Sequence, residues 1–276
     1  MTKIYEGKSD PFIFHEVMLE RINDMTKVLM HGCNGKIGQT ISRIIKDHPG
    51  LELAAGVDPY LGISNPFPVY KNIEDCTTKV DVIIDFSTAL AVRPMLNFAL
   101  QNKIPVVICT TGLCDEDIQF IHEISKELPI FFSANMSLGV NLLIALAKRA
   151  TEVLSDSGFD IEIIEKHHNQ KIDAPSGTAL AIADAINETL DEKYAYRYDR
   201  SQTREKRPQK EIGIHAVRGG TIVGEHEILF AGNDEFISLT HQATSKEVFA
   251  VGALKAAKFL ATMGNGLYDM SDLLNA

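Results

Sequence analysis

A chain of 276 residues is long enough for one large domain or two ordinary ones, and 45% hydrophobic with 23% charged residues is a globular composition. Its 37 acidic against 27 basic side chains, a formal charge of −10, exclude a protein that holds nucleic acid by neutralising phosphates, so a basic pocket here is local and suits a small anion. No run reaches the roughly 20 apolar residues of a membrane span, and Cys33, Cys76, Cys109 and Cys114 have neither C-x-x-C spacing nor a histidine framework for a metal, the pattern of reduced thiols in a cytoplasmic protein.

Residues 1–24 lack the charged start and apolar core of a signal peptide. They are expected to form an N-terminal extension, with a short helix, ahead of a domain that begins near Met25. Residues 27–31 read as a strand running into Gly32-Cys33-Asn34-Gly35-Lys36-Ile37-Gly38; 39–47 have helical spacing, and 51–57 form a second strand closing on Asp58. Strand, glycine-rich turn, helix, strand and acid is the layout of a dinucleotide-binding unit. The spacing is G-x-x-G-x-x-G rather than G-x-G-x-x-G, with Asn34 where a glycine would stand, and is weak by itself. Asp58, 20 residues past Gly38, strengthens it as a partner for ribose hydroxyls, while Lys36 leaves NAD and NADP both open.

The alternation continues, with strands expected at 80–86, 105–109 and 129–132 and helices at 89–101 and 116–127. Near-continuous apolar strands between helices predict a parallel sheet covered on both faces, with ligands beyond the strands' carboxyl ends. Besides the glycine turn and Asp58, those ends carry Phe86, Ser87, Cys109, Thr110, Thr111, Ser133, Ala134, Asn135 and Met136, the remaining candidates for the cofactor site.

After a helix at 140–154 and a strand at 159–164 comes E-K-H-H-N-Q-K-I-D-A-P-S-G-T-A-L, residues 165–180. His167, His168 and Lys171 put three cation-capable side chains within five residues, ahead of Pro175-Ser176-Gly177-Thr178, which opens a helix. A histidine pair alone suits any strand end, and Pro-Ser-Gly-Thr alone is an ordinary cap. Together they describe a site for a small carboxylate, with a group that exchanges protons near neutral pH. Residues 194–210 read as a solvated basic loop. Strands follow at 212–217, 221–230 and 235–241, joined by tight turns at 218–220 and 232–234, with a closing helix at 248–263. The expected organisation is a Rossmann-like α/β dinucleotide-binding domain, 25–136 completed by 247–276, and a smaller α+β domain, 137–246, with a mixed sheet.

Residues 165–179 fit E-x-H-H-x-x-K-x-D-x-P-S-G-T-A at every specified position. With the glycine turn, D-F-S at 85–87, T-T-G at 110–112, A-N-M-S-L-G-V-N at 134–141, R-x-G-x-x-x-G-E-H at 218–226 and H-x-A-T-S at 241–245, the chain from residue 26 onward resembles the 4-hydroxy-tetrahydrodipicolinate (dihydrodipicolinate) reductase family. The resemblance implies reduction of a cyclic dicarboxylate imine by NADH or NADPH with loss of water, in lysine biosynthesis, by a homotetramer assembled through the second domain's sheet. It further implies His167 as acid/base, Lys171 as proton donor, and His168, Ser176, Gly177, Thr178 and Lys246 at the substrate. Lys36 stands where the family often has arginine, Pro59 where a basic residue follows the acid, Lys246 for another arginine and Cys109 for a glycine. Two other readings compete: a semialdehyde dehydrogenase with Cys109 or Cys33 as nucleophile, and a non-catalytic NAD(H) sensor.

Overall fold

The computed structural model describes residues 25–276 apart from Ala134; the expectations for residues 1–24 and Ala134 lie outside the described residues. Strands β1 (Thr26–His31), β2 (Leu51–Val57), β3 (Val69–Tyr70), β4 (Val82–Asp85), β5 (Val106–Ile108) and β6 (Pro129–Phe132) alternate with helices α1 (Lys36–Ile44), α2 (Ala89–Asn102) and α3 (Asp115–Ile124). Then come α4 (Leu138–Leu154), β7 (Asp160–His167), α5 (Gly177–Glu188), β8 (Ala195–Arg197), β9 (Glu211–Arg218), β10 (Gly224–Ala231) and β11 (Phe236–Ala243). Helix α6 (Glu247–Leu260), β12 (Gly266–Tyr268) and α7 (Met270–Asn275) end the chain.

Two compact units result. The first runs to Phe132 and takes back Ala253–Tyr268; the second is Ser133–Gly252 with Asp269–Ala276. The sequence placed these limits at 136 and 246 and gave all of 247–276 to the first domain. Short α7 has a buried Met270 and packs on α4, which puts the last residues in the second unit.

The first unit is a seven-stranded sheet in the order β12-β6-β5-β4-β1-β2-β3, parallel in every pairing. Its central strands are buried on both faces, and Leu29, Ile83, Val106 and Ile130 join Met95 and Leu96 of α2 in one core. The strand order reverses between β1 and β4, where a parallel sheet opens a crevice for a ligand.

The second unit is a five-stranded mixed sheet, β11-β10-β7-β9-β8. Ile161, Ile163, Ile212, Ile214, Ile228 and Phe230 pack on α4 and α5. The sequence expected β9 and β10 to be joined by a tight turn at 218–220; instead they flank β7, one parallel and one antiparallel to it. The run 194–210 is also more structured than a solvated loop. It contains edge strand β8, and Arg207 reaches Asp160 (2.7 Å) and Glu162 (2.8 Å), while Arg197 and Arg200 meet the buried Glu211. Among the described residues no helix is long and apolar enough to cross a membrane.

Candidate active site

Strand β7 alternates, and Ile161, Ile163, Glu165 and His167 fall on its buried face. A glutamate there must be paired, because an unpartnered buried carboxylate is costly. Glu165 is fully buried and accepts four hydrogen bonds. His167 Nδ1 (2.6 Å) and Arg218 Nη1 (2.7 Å) donate to Oε2, and Arg218 Nη2 (2.7 Å) and Ser176 N (2.9 Å) donate to Oε1. Arg218 is the cross-strand partner of His167 on β9, and its guanidinium also reaches Asp173 O (2.5 Å). Burial works against the charge on Glu165, but Arg218, His167 and the Ser176 N–H outweigh it and hold the carboxyl below its ordinary range. A carboxylate only accepts, so the shared proton sits on Nδ1 of His167 and directs Nε2 away from Glu165.

The loop 168–176 then turns back to the start of α5. Lys171 pairs with Asp173 (2.8 Å), its side chain 23% exposed, and lowers that carboxyl's pKa. Ser176 caps α5, its Oγ accepting from Ala179 N (3.2 Å), while Gly177 is exposed and Thr178 half-buried on the first turn. Asn135, expected at the cofactor, donates to Thr178 Oγ1 (3.1 Å) within the second unit. His167, Thr178 and Asn135 line one cavity; His168 is half-buried, and Lys246 is exposed and outside that lining.

Glu165, Arg218, His226 and His241 occupy specified positions of the motifs at 165–179, 218–226 and 241–245, but the motifs alone assign them no role. The available signal was the period-2 spacing of Glu165 and His167, which fixes them on one face. His226 (4% exposed) lies against His167 with ring centroids 5.2 Å apart and planes at 73°. Burial, then the neighbouring His167, push its pKa down from 6.5 to about 4. A depressed histidine contributes stability that is present above 6.5 and lost as pH falls toward 4, a loss on the order of 3 kcal/mol. Urea midpoints are therefore expected to fall between pH 6.5 and 4, and His226→Gln to flatten that fall; an unchanged slope in the variant would place the titration elsewhere.

The first unit holds the other half of the expected machinery. Gly32 has φ +83°, and a Cβ there would lie 2.5 Å from Phe86 O; a Cβ on Gly38 would lie 2.3 Å from Gly32 O. Only glycines allow this turn at the reversal of strand order. Gly35 is the N-cap of α1 and has no side chain to cap it, so the first N–H groups of the helix are open to a pyrophosphate. Asp58 accepts from Asn34 N (3.0 Å) and Tyr60 N (2.9 Å), tying the end of β2 to the glycine turn. Lys36 is exposed on the first turn, beside Ile37. Buried Asp85 gathers His31 (2.8 Å), Ser87 Oγ (2.6 Å) and Thr110 Oγ1 (2.7 Å), fixing the ends of β1, β4 and β5; Thr111 is exposed beyond them. The residues present fit a dinucleotide. Ser133 and Met136, also expected there, fall in the second unit.

The thiols do not fit a nucleophile. Cys33 is fully buried, and desolvation, then Asp58, push it up to about 12; Cys109 is raised by burial and by Asp85. Neither supplies a thiolate near neutrality. Cys109→Ala is expected to keep kcat within about three-fold of the parent, the range of a small core change rather than loss of a nucleophile; a drop in steady-state rate of several decades would restore the dehydrogenase reading.

Comparison with known proteins agrees with this arrangement. A family model described as dihydrodipicolinate reductase, N-terminus, matches residues 26–136, and one described as dihydrodipicolinate reductase, C-terminus, matches 139–274. The 4-hydroxy-tetrahydrodipicolinate reductase of Caldanaerobacter subterraneus subsp. tengcongensis is 54% identical over 250 residues, 91% of this chain and 98% of that one. That of Clostridium novyi is 47% identical over 252 residues, 91% and 99% of the two chains. A dipicolinate-bound dihydrodipicolinate reductase from Paenisporosarcina sp. TG-14 superposes with TM-score 0.76 at 28% identity, over 89% of this chain and 97% of that one. Matched along both halves and by relatives over nearly their whole length, the chain belongs to the dihydrodipicolinate reductase family.

Proposed function

We propose that the chain reduces 4-hydroxy-tetrahydrodipicolinate to tetrahydrodipicolinate with loss of water, in the diaminopimelate route to lysine. It is an oxidoreductase using NADH or NADPH. The observation that carries the reading is the buried Glu165–His167 pair tied to the start of α5 through Ser176 N, which joins a proton-transfer group to an anion site. The glycine turn, α1 start, Asp58, Phe86, Ser87 and 109–111 hold the dinucleotide, which supplies the hydride when bound.

The residues of the second unit do the rest. The N–H groups of Gly177 and Thr178 take one ring carboxylate, and His168 and Lys246 support the other by charge. Hydride addition to the conjugated imine leaves an enamine that needs a proton on the adjacent carbon. Lys171 delivers it, with His167 Nε2 as the acid/base partner, a contribution of about 10²–10⁴-fold. Glu165 keeps His167 in the tautomer that presents Nε2. Exposed Phe236 and Ile237 on β11 support assembly through the second sheet into a homotetramer, in the cytoplasm.

The deciding experiment mixes the protein with freshly made 4-hydroxy-tetrahydrodipicolinate and NADH, and separately NADPH, and follows loss of reduced nicotinamide absorbance. Oxidation with either establishes the reaction, and the ratio of rates reads out Lys36, Asp58 and Pro59. Cofactor binding without oxidation would favour the sensor.

A further inference from the structure

Among the described residues, three nitrogens around the Glu165–His167 pair are buried without a hydrogen-bond partner: Arg218 Nε, His226 Nδ1 and His241 Nδ1. The two histidines face each other across β10 and β11, and Glu165 is the cross-strand neighbour of His226 on its other side. Ser176 Oγ, which already accepts from Ala179 N, lies 3.2 Å from His226 Nε2. A hydroxyl oxygen can accept twice, so this contact fits either tautomer; in the one where the Ser176 hydroxyl donates to Nε2, the neutral ring carries its own proton on Nδ1, a donor with no acceptor among the described residues. His226 and His241 line a cavity of about 40 Å³ together with His167, Asn135 and Thr178. That volume takes a hydroxyl or about one or two waters, not a carboxylate or a ring.

Neutral imidazoles do not neutralise a carboxylate, and the site has Lys171, Lys246 and the α5 start for that purpose. They match an uncharged oxygen, and the substrate proposed above has a single one, the hydroxyl on carbon 4. We infer that His226 Nδ1 and His241 form the subsite that takes this hydroxyl and the water it becomes, an inference that rests on the reductase reading. In the elimination, His167 removes a proton from carbon 5, that C–H electron pair becomes the C4=C5 bond, and the C4–O bond breaks. The oxygen leaves with the proton carried by His167, as water, while His226 Nδ1–H donates to it as negative charge builds. Hydride then adds at carbon 4, and a proton at carbon 5 restores the imine.

The test uses two planar dicarboxylates that cannot turn over, pyridine-2,6-dicarboxylate and its 4-hydroxy derivative, titrated against the NADH-loaded protein. The wild type is expected to bind the 4-hydroxy compound about three- to ten-fold more tightly, the range of one net hydrogen bond. His226→Gln places its amide over the Nε2 position, keeping Ser176 paired but offering no donor at Nδ1, and should lose the preference. His226→Asn places its amide at Nδ1 and should keep it. His241→Phe, which leaves Ser176 untouched, should reduce it. A residue that only supports the Ser176 cap would give the opposite order for Gln and Asn. No preference in the wild type, or an undiminished one in His226→Gln with the parent compound still bound, overturns the subsite and leaves the reductase reading standing. Failure to bind either compound, with no reduction of the natural substrate, removes both.

Discussion

Lys171→Ala is expected to lower kcat by about 10²–10³ while leaving NADH affinity unchanged, the signature of lost proton delivery rather than lost binding. The ammonium is held by Asp173 at 2.8 Å on a loop whose Arg218 clamp fixes the Asp173 carbonyl, so the donor is positioned before substrate arrives. Lys171→Arg separates the two uses of the cation. It keeps the charge that favours a dicarboxylate but does not surrender a proton, because guanidinium stays protonated in water and in proteins. KM should therefore recover toward the parent value while kcat remains low. His167→Ala should cost a similar factor, and the double variant much less than the product of the two, since both serve one proton inventory. Steady-state oxidation of NADH across substrate concentration decides the matter. A parent-like rate in Lys171→Ala would remove the lysine from the chemistry.

The parts of this molecule that were legible in the sequence are those whose burial alone fixes them. Strand 51–57 was placed to the residue, and the strands of the parallel sheet within two residues, because both faces of such strands are apolar and their ends are marked by glycine or a charge. What escaped was short or non-local. Two-residue β3 and three-residue β8 and β12 are too brief to show a period. Insertion of β7 between β9 and β10 depends on pairing across 51 to 71 residues of sequence, which local turn chemistry does not encode. The same distinction holds in the site. The histidines, lysine and helix cap of 165–180 are contiguous and could be read directly. Arg218 is 53 residues from Glu165, and His226 is 50 from Ser176, so their roles emerge only once the sheet brings them together. Asn135 follows β6 in the chain, and its hydrogen bond to Thr178, 43 residues on, is likewise visible only in three dimensions.

Glu165 is where stability and chemistry meet, and its two simplest replacements should part company. Alanine removes a fully buried carboxylate that accepts four hydrogen bonds from three residues and leaves the partly buried Arg218 guanidinium without its counter-charge. Breaking a buried ion pair from one side costs about 3–5 kcal/mol, so Glu165→Ala should be poorly folded or strongly destabilised. Glutamine preserves volume and one acceptor oxygen, and the protein should fold. The amide nitrogen must then face an Arg218 N–H together with either the Ser176 N–H or the Nδ1–H of His167, donor against donor; in the second orientation a rotation of the imidazole relieves the clash at the expense of the tautomer that presents Nε2. In the serine-protease triad the analogous carboxylate-to-amide change costs about 10⁴ in kcat through the wrong tautomer; with Lys171 still able to deliver a proton, about 10² is expected here. The loss should fall on kcat, with pyridine-2,6-dicarboxylate and NADH both still bound, and Glu165→Asp should recover little, because a carboxylate one methylene shorter cannot reach His167, Arg218 and Ser176 N together. Full activity in Glu165→Gln would mean that His167 is oriented by its packing alone.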